Sequence, residues 1–304
     1  MEQRSMTALM CAYIRAYHAK NHSVCVFRDP LAERLLSEEE YEGISGHLAH
    51  GIRFFEPGFA GSREAALRRI VDGELAPSPL ARAAYAEAVL ENESRLGARQ
   101  VLLPGAGYDT FAFRQPDWAQ GLEIFELDHP ATADDRCRRL ARAGIDYPAN
   151  AHLLRTELAG DAWTAALAEA GFDPAKRTVC AILGLAYYLD KPAFARMLGS
   201  LGAILADGSA LVFDYPDEDA RRDAESASGR RIRLAEGAGE TMAAEYGYAE
   251  LERLLEGAGF RIYEHLTPQE IEKRFFAAYN RENPGHPMCA PPHVRFCLAV
   301  RKRI

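Results

Sequence analysis

A glycine turn, a strand-end carboxylate and an inward-facing arginine are the residues of this sequence best suited to hold a ligand. Gly105-Ala106-Gly107-Tyr108-Asp109-Thr110 directly follows the apolar run Val101-Leu102-Leu103. Glycines in that position let the backbone turn sharply and approach a ligand closely. Asp128 closes the next apolar run, about 20 residues further on, where a carboxylate can accept both hydroxyls of a ribose. The competing role for Asp128 is to cap the helix that Pro130 begins, and its neighbour Glu126 is expected on the opposite face of the strand. Arg82 shares a helical face with Tyr85 and Val89, so its guanidinium points to the interior and needs an anion there. A ligand carboxylate would serve, and so would Glu157 or Asp109.

These groups suit a cationic nucleoside without phosphates. A dinucleotide site carries a third glycine three residues after the second, where the helix packs beneath a pyrophosphate. Thr110 stands at that position, and Asp109 beside the turn would repel phosphate. S-adenosylmethionine has a ribose, a sulfonium and an amino-acid end, and fits better. No metal centre is expected. The six cysteines (Cys11, Cys25, Cys137, Cys180, Cys289 and Cys297) contain no C-x-x-C pair, and they read as reduced thiols, mostly in the core.

A chain of 304 residues that is 48% hydrophobic can bury a full core, which excludes disorder as its main state. Its charge balance, 36 − 44 = −8, argues against nucleic acid or an anionic membrane as partner. The polar start Met1-Glu2-Gln3-Arg4 leads into no signal-like segment, and the longest apolar run, 181–189, is too short to span a bilayer. A cytoplasmic protein is expected. Its first third reads as helical: 7–20, a short helix opened by Asp29-Pro30, one capped by Ser62, and one capped by Ser78 with Pro79 first and Gly97 past its end. Apolar strands at 101–103, 122–128, from 178 and at 209–215, with a weaker one at 152–155, then alternate with helices at 132–143, 161–170 and 192–201. That rhythm predicts a parallel sheet covered on both faces. A helix over 248–256 and a strand over 260–266 follow. Strict alternation over 293–301 predicts a less buried, antiparallel edge pairing. The charge-dense, glycine-punctuated segment 217–245 reads as a mobile excursion that closes over a substrate.

Leu103-Pro104-Gly105-Ala106-Gly107-Tyr108-Asp109-Thr110 with Arg114, and Phe125-Glu126-Leu127-Asp128-His129-Pro130, resemble two hallmark motifs of the leucine carboxyl methyltransferase family, which includes bacterial polyketide O-methyltransferases. Thr7-Ala8-Leu9 with Arg15-Ala16 and Asp29-Pro30-Leu31-Ala32 resemble the N-terminal signature of its bacterial members. Glu157-Leu158, the segment from Gly184 to Leu189, and Gly239-Glu240 with Gly259-Phe260 extend the likeness over nearly the whole chain. The resemblance implies an α/β class I methyltransferase of Rossmann-like type: a seven-stranded, mostly parallel sheet with one antiparallel strand and an N-terminal helical cap. The cap would span 1–78 and the cofactor-binding domain 79–304. Arg82 would bind the methionine carboxylate of S-adenosylmethionine, Gly105 and Gly107 would form the turn beneath it, Asp128 would hold the ribose, and Glu157-Leu158 would contact the adenine. The chain departs from the family pattern at Leu183, where a glutamate usually precedes the glycine, and at Pro104.

The reading is an O-methyltransferase acting on a carboxylate or phenolic hydroxyl of a small molecule such as a polyketide, in preference to a protein C-terminus. Tyr187, Tyr188 and His129 are candidate groups on the substrate side, and no catalytic base is named. Two alternatives share the motifs: a nicotinamide-dependent oxidoreductase, disfavoured by Thr110 and Asp109, and a non-catalytic S-adenosylmethionine-binding protein, raised by Leu183.

Overall fold

The apolar runs Val101-Leu102-Leu103, Val179-Cys180-Ala181-Ile182 and Ala210-Leu211-Val212-Phe213 make strands that must be covered on both faces. The computed structural model, which describes residues 4–302 apart from 224, 225 and 238, gathers them into one sheet. Its strands are β1 (Gln100–Pro104), β2 (Glu123–Asp128), β3 (Ala151–Arg155), β4 (Thr178–Ile182), β5 (Ala210–Pro216), β6 (Phe260–Leu266) and β7 (Val294–Arg301). Their spatial order is β3-β2-β1-β4-β5-β7-β6, with β1 to β5 parallel and β7 antiparallel to both neighbours. The chain leaves β1 toward β2 on one side and reaches β4 on the other, so a crevice opens at the C-terminal ends of β1 and β4.

The antiparallel strand is not at the edge. β7 lies between β5 and β6, and both of its faces are buried. Its alternation is one of size: Val294, Phe296 and Leu298 enter one core, while the small Cys297 and Ala299 enter the other. Tertiary packing on both sides therefore overrides the amphipathic look of the sequence.

The N-terminal helices are α1 (Met6–Asn21), α2 (Glu38–His50), α3 (Ile52–Phe55), α4 (Arg63–Ile70) and α5 (Pro77–Arg95). Ser62 caps α4 by accepting the Ala65 N–H, as its spacing predicts. Asp29 accepts the N–H groups of Leu31 and Ala32 above a short 3-10 turn over Ala32–Leu35. Helix α5 begins earlier than its sequence suggests. A π-helical turn over Val71–Leu75 runs straight into it, Pro77 takes the first position, and Ser78 lies inside the helix without capping it. Along the sheet follow α6 (Phe111–Arg114), α7 (Pro130–Arg142), α8 (Ala162–Glu169), α9 (Lys191–Ile204), α10 (Ala227–Gly237), α11 (Tyr248–Gly257), α12 (Pro268–Ile271) and α13 (Ala277–Glu282). No helix among the described residues is long and apolar enough to cross a membrane.

One continuous cluster of buried side chains joins α1, α4 and α5 to β1 and β7, so the first 78 residues and the sheet share a core. Ion pairs reinforce that joint. Asp29, fully buried, accepts from Arg15 Nε at 2.8 Å and from the Thr110 hydroxyl at 2.8 Å, with Arg114 at 3.5 Å. Burial alone would raise the Asp29 carboxyl, but the two guanidiniums more than offset it and the net shift is downward. Arg139 of α7 grips Asp135 at 2.6 Å and Glu40 of α2 at 2.6 Å, while Tyr108 donates to Asp135 at 2.7 Å.

Asp135 and Glu40 are both held near 2, well below their ordinary values, Glu40 chiefly by its Arg139 hydrogen bond and Asp135 by that arginine working against burial. A depressed folded-state value means that the stabilisation is complete above the unfolded-state value near 4 and is lost as pH falls toward 2. Urea titrations at several pH values should show stability falling between pH 4 and 2, and Arg139→Met should flatten that slope. A slope unchanged in Arg139→Met would assign the acid sensitivity to other carboxylates.

Candidate functional site

The C-terminal ends of β2, β1, β4 and β5 bring most of the expected residues to one crevice. Gly105 and Gly107 have φ of +69° and +55°, left-handed values that an L side chain resists. The N–H groups of Gly105 and Ala106 donate to the Leu127 carbonyl at 2.8 and 3.1 Å, which ties the turn to β2 while it leaves β1. A Cβ at Gly107 would meet the Ala8 methyl of α1 at 3.1 Å, and one at Gly105 would meet Leu185 at 3.3 Å. The turn is thus pressed between the first helix and the segment after β4.

Asp128 closes β2 beside this turn. One carboxylate oxygen accepts the Gly107 N–H and the other accepts the His129 N–H at 2.7 Å, leaving each oxygen a further acceptor position. Burial pushes its carboxyl upward, only partly offset by those two N–H groups. It does not cap α7; His129 does, its Nδ1 accepting the Ala131 N–H at 3.2 Å. Glu126 lies on the same face as Asp128, contrary to the expectation of opposite faces, because a strand's side chains return to one face every second residue. What separates the two acids is depth. Glu126 is fully buried and is taken up by Arg136 of α7, and Asp128 sits at the strand's open end.

Arg82 reaches the same crevice from α5. Its partner is neither Glu157 nor Asp109, but Asp214 on β5, at 3.2 Å. Asp109 instead accepts the Phe111 N–H at 2.7 Å. The second contact of Arg82 is Cys11 Sγ of α1 at 3.4 Å. Gly184, just after β4 and with φ of +70°, lies against the guanidinium: a Cβ there would stand 2.6 Å from its nitrogens. Glu157 follows β3 at the opposite rim with its side chain 64% exposed, and pairs with His129 Nε2 at 2.9 Å. Leu158 packs, half-buried, on the second core.

The two tyrosines after β4 face different neighbours. Burial pushes the Tyr188 hydroxyl up to about 12, its bond to Thr7 of α1 working the other way, and Cys11, Glu240 and Arg82 are close by. Tyr187 lines a small apolar cavity with Ala220, Ile232, Met242 and His293. Ala220, Ile232 and Met242 bring the chain between β5 and α11 against it. The Ala243 N–H donates to the Tyr187 carbonyl at 2.6 Å, and Glu240 accepts the Met6 and Thr7 N–H groups at 2.6 and 3.0 Å, capping α1.

Away from the crevice, His18, His22 and Asp72 place one ligand atom each within 4.8 Å of one another. The Val26 N–H donates to His18 Nε2 at 2.9 Å, and burial drives His18 down to about 3, so its ring is neutral with the proton on Nδ1. His22 Nε2 faces Asp72 at 3.1 Å. The trio is a polar clamp between α1 and the π-helical turn.

The model of the leucine carboxyl methyltransferase family matches residues 8–202 of this chain. The chain belongs to that family. The YktD protein of Bacillus subtilis (strain 168), named as an S-adenosyl-L-methionine-dependent methyltransferase, is 36% identical over 307 residues, covering 99% of each chain. A Mycobacterium avium (strain 104) protein named likewise is 30% identical, over 75% of this chain and 71% of its own. Among solved structures, a DUF574 family protein from Streptomyces avermitilis superposes with a TM-score of 0.57 at 14% identity, covering 95% of this chain and 96% of that one. A methyltransferase from Thermobifida fusca YX reaches 0.55 at 17% identity, covering 84% and 95%. The protein is therefore an S-adenosylmethionine-dependent methyltransferase with the class I fold, and the nicotinamide alternative falls.

The residues on the crevice fit that cofactor. Two glycines clear a backbone surface, a desolvated carboxylate keeps acceptor positions open beside it, and a guanidinium stands at the other end. Sequence reasoning missed Asp214, Cys11 and the contact partner of Glu240. The available signal for Asp214 was a single acid inside the apolar run 210–216, all of it buried.

Gly184→Ala should push the Arg82 guanidinium aside. Calorimetry should show S-adenosylhomocysteine binding at least about tenfold weaker, with a stability loss of roughly 1–2 kcal/mol from the left-handed backbone. Unchanged affinity would place the ligand away from Arg82.

Proposed function

We propose that this methyltransferase is an O-methyltransferase that acts on a carboxylate or phenolic hydroxyl of a small molecule, such as a polyketide. The observation that supports the reading is the cover over the crevice: Glu240 accepts the Met6 and Thr7 N–H groups at the start of α1, and the Ala243 N–H donates to the Tyr187 carbonyl, so the chain after β5 lies across the turn that follows β4. A covered crevice suits a small acceptor, whereas a protein C-terminus would need an open groove to thread the chain.

On this reading Asp128 accepts the ribose hydroxyls, Glu157 and Leu158 border the adenine, and Gly105 and Gly107 let the backbone pass beneath the methionine end. Arg82 offers its remaining N–H groups to the methionine carboxylate. Bound S-adenosylmethionine supplies a methyl group activated by its sulfonium. The protein has to align the acceptor oxygen with the methyl carbon and the sulfur, and to keep water out. Alignment of this kind can lower a barrier by about 7–11 kcal/mol. Tyr188, protonated at neutral pH, can donate a hydrogen bond to an acceptor oxygen but cannot act as a base. A carboxylate acceptor needs no base, because it arrives deprotonated. A phenol would have to give up its proton as the new bond forms.

Incubation with methyl-labelled S-adenosylmethionine and panels of aromatic carboxylic acids, phenols and carboxyl-terminal peptides distinguishes the acceptor classes. Label should appear in methyl esters or aryl ethers of the small molecules, with peptides unlabelled. Label on nitrogen, carbon or sulfur, or only on peptides, would overturn the proposal.

A further inference from the structure

Asp214 is the one acid on β5, and its side chain is only 1% exposed. A carboxylate so placed needs partners, and it has two. Oδ2 accepts from Nη1 of Arg82 at 3.2 Å, and Oδ1 accepts from the backbone N–H of Gly184 at 2.6 Å. The two oxygens of one carboxylate therefore hold two separate walls of the crevice, the guanidinium carried by α5 and the turn after β4.

The arrangement is directional. The Arg82 side chain keeps 16% exposure while the acid behind it keeps almost none. Asp214 uses one of the five N–H donors of the guanidinium fork, and Cys11 Sγ faces another. Gly184 leaves no room for a Cβ beside the fork. An arginine on a long flexible stem has many rotamers; one fixed from behind by an acid, and from the side by a backbone without a side chain, has its planar face set before any ligand arrives.

We infer that Asp214 is a positioning residue for methyl transfer: it locks Arg82 and the Gly184 turn into one unit that receives the amino-acid end of the donor. It does so without touching the donor. The inference rests on the reading of Arg82 as the partner of the methionine carboxylate. A buried ion pair with a merely structural role would alter stability and would treat all adenosine ligands alike. A positioning role separates ligands that carry the carboxylate from those that lack it.

The test is calorimetric titration of the full chain with S-adenosylhomocysteine and with 5′-methylthioadenosine, which has no carboxylate. Asp214→Asn keeps an acceptor for the Gly184 N–H and removes the charge that orients Arg82. Its affinity for S-adenosylhomocysteine should fall at least about tenfold, the size of one misaligned charge-assisted hydrogen bond, while that for methylthioadenosine stays within about threefold. Arg82→Met should show the same selective loss, and the double variant little more than either alone. KM for S-adenosylmethionine should rise more than kcat falls. If Asp214→Asn does not fold, Asp214→Glu, which keeps the charge and displaces the guanidinium by a methylene, is judged by the same ligand ratio. Equal losses for both ligands, or no loss, would overturn the positioning role. Failure of both ligands to bind the unaltered protein would instead overturn the placement of the cofactor itself.

Discussion

The backbone between β1 and α6 has to satisfy two demands at once. It must turn away from the sheet with left-handed conformations at Gly105 and Gly107, and it must keep its N–H groups bonded to the end of β2. The second demand is met by the Leu127 carbonyl and the Asp128 carboxylate, so the same contacts that hold the turn also aim the acid. Because a Cβ on Gly107 would crowd the Ala8 methyl at 3.1 Å, the first helix is packed closely against this turn as well. Thr7 then meets Tyr188, Cys11 meets Arg82, and Glu240 finds the start of α1. A side chain at position 107 would disturb all of these together.

The joint between the N-terminal helices and the sheet is unusually ionic for a buried surface. Arg15, Asp29, Thr110 and Arg114 meet beneath the turn, and Glu40, Asp135 and Arg139 meet between α2 and α7. Desolvating such groups is costly, and the pairing returns that cost only when every partner is in place. Removing one member strands the others, at about 3–5 kcal/mol for a fully buried pair. The chemistry of the signature motifs is thus divided: Arg15, Asp29 and Arg114 fasten the helices to the sheet, and the glycines with Asp128 line the crevice.

Much of this was legible beforehand, for identifiable reasons. The strands β1, β4 and β5 announced themselves because a strand covered on both faces leaves a largely apolar run, β3 gave only a weaker signal, and Ser62 and Gly97 marked helix ends through local hydrogen bonding and backbone conformation. The number of strands was legible only through the family motifs, and their order was not legible at all. What stayed hidden depended on contacts distant in sequence. β7 looked like an edge because its alternation of large and small residues imitates alternation of buried and exposed ones. The start of α5 was concealed by a π-helical turn that no local signal marks. The inward direction of Arg82 could be read from helical spacing, yet its acid, 132 residues away, could not. The misplacement of Glu126 has a different origin, since the period of a strand already assigns it to the face of Asp128.

Leu183 is the most visible departure from the family pattern, and by itself it invites the view that the crevice has lost an acid and with it some of its grip on the cofactor. The geometry answers that view at the level of atoms. The residue following Leu183 donates its N–H to a carboxylate, and the same carboxylate pairs with Arg82. An acid therefore does stand at the C-terminal end of β4, contributed by the neighbouring strand through Asp214. Placing it on β5 has a physical advantage: a carboxylate emerging from a strand buried on both faces cannot swing into solvent, whereas one on the loop after β4 could. With Asp214 fixed in the sheet, the guanidinium in front of it keeps its orientation, and a leucine at 183 is free to pack against the core shared with the N-terminal helices. The leucine at 183 thus takes an acid from the loop while the C-terminal ends of β4 and β5 keep one, and it gives no support to a non-catalytic role.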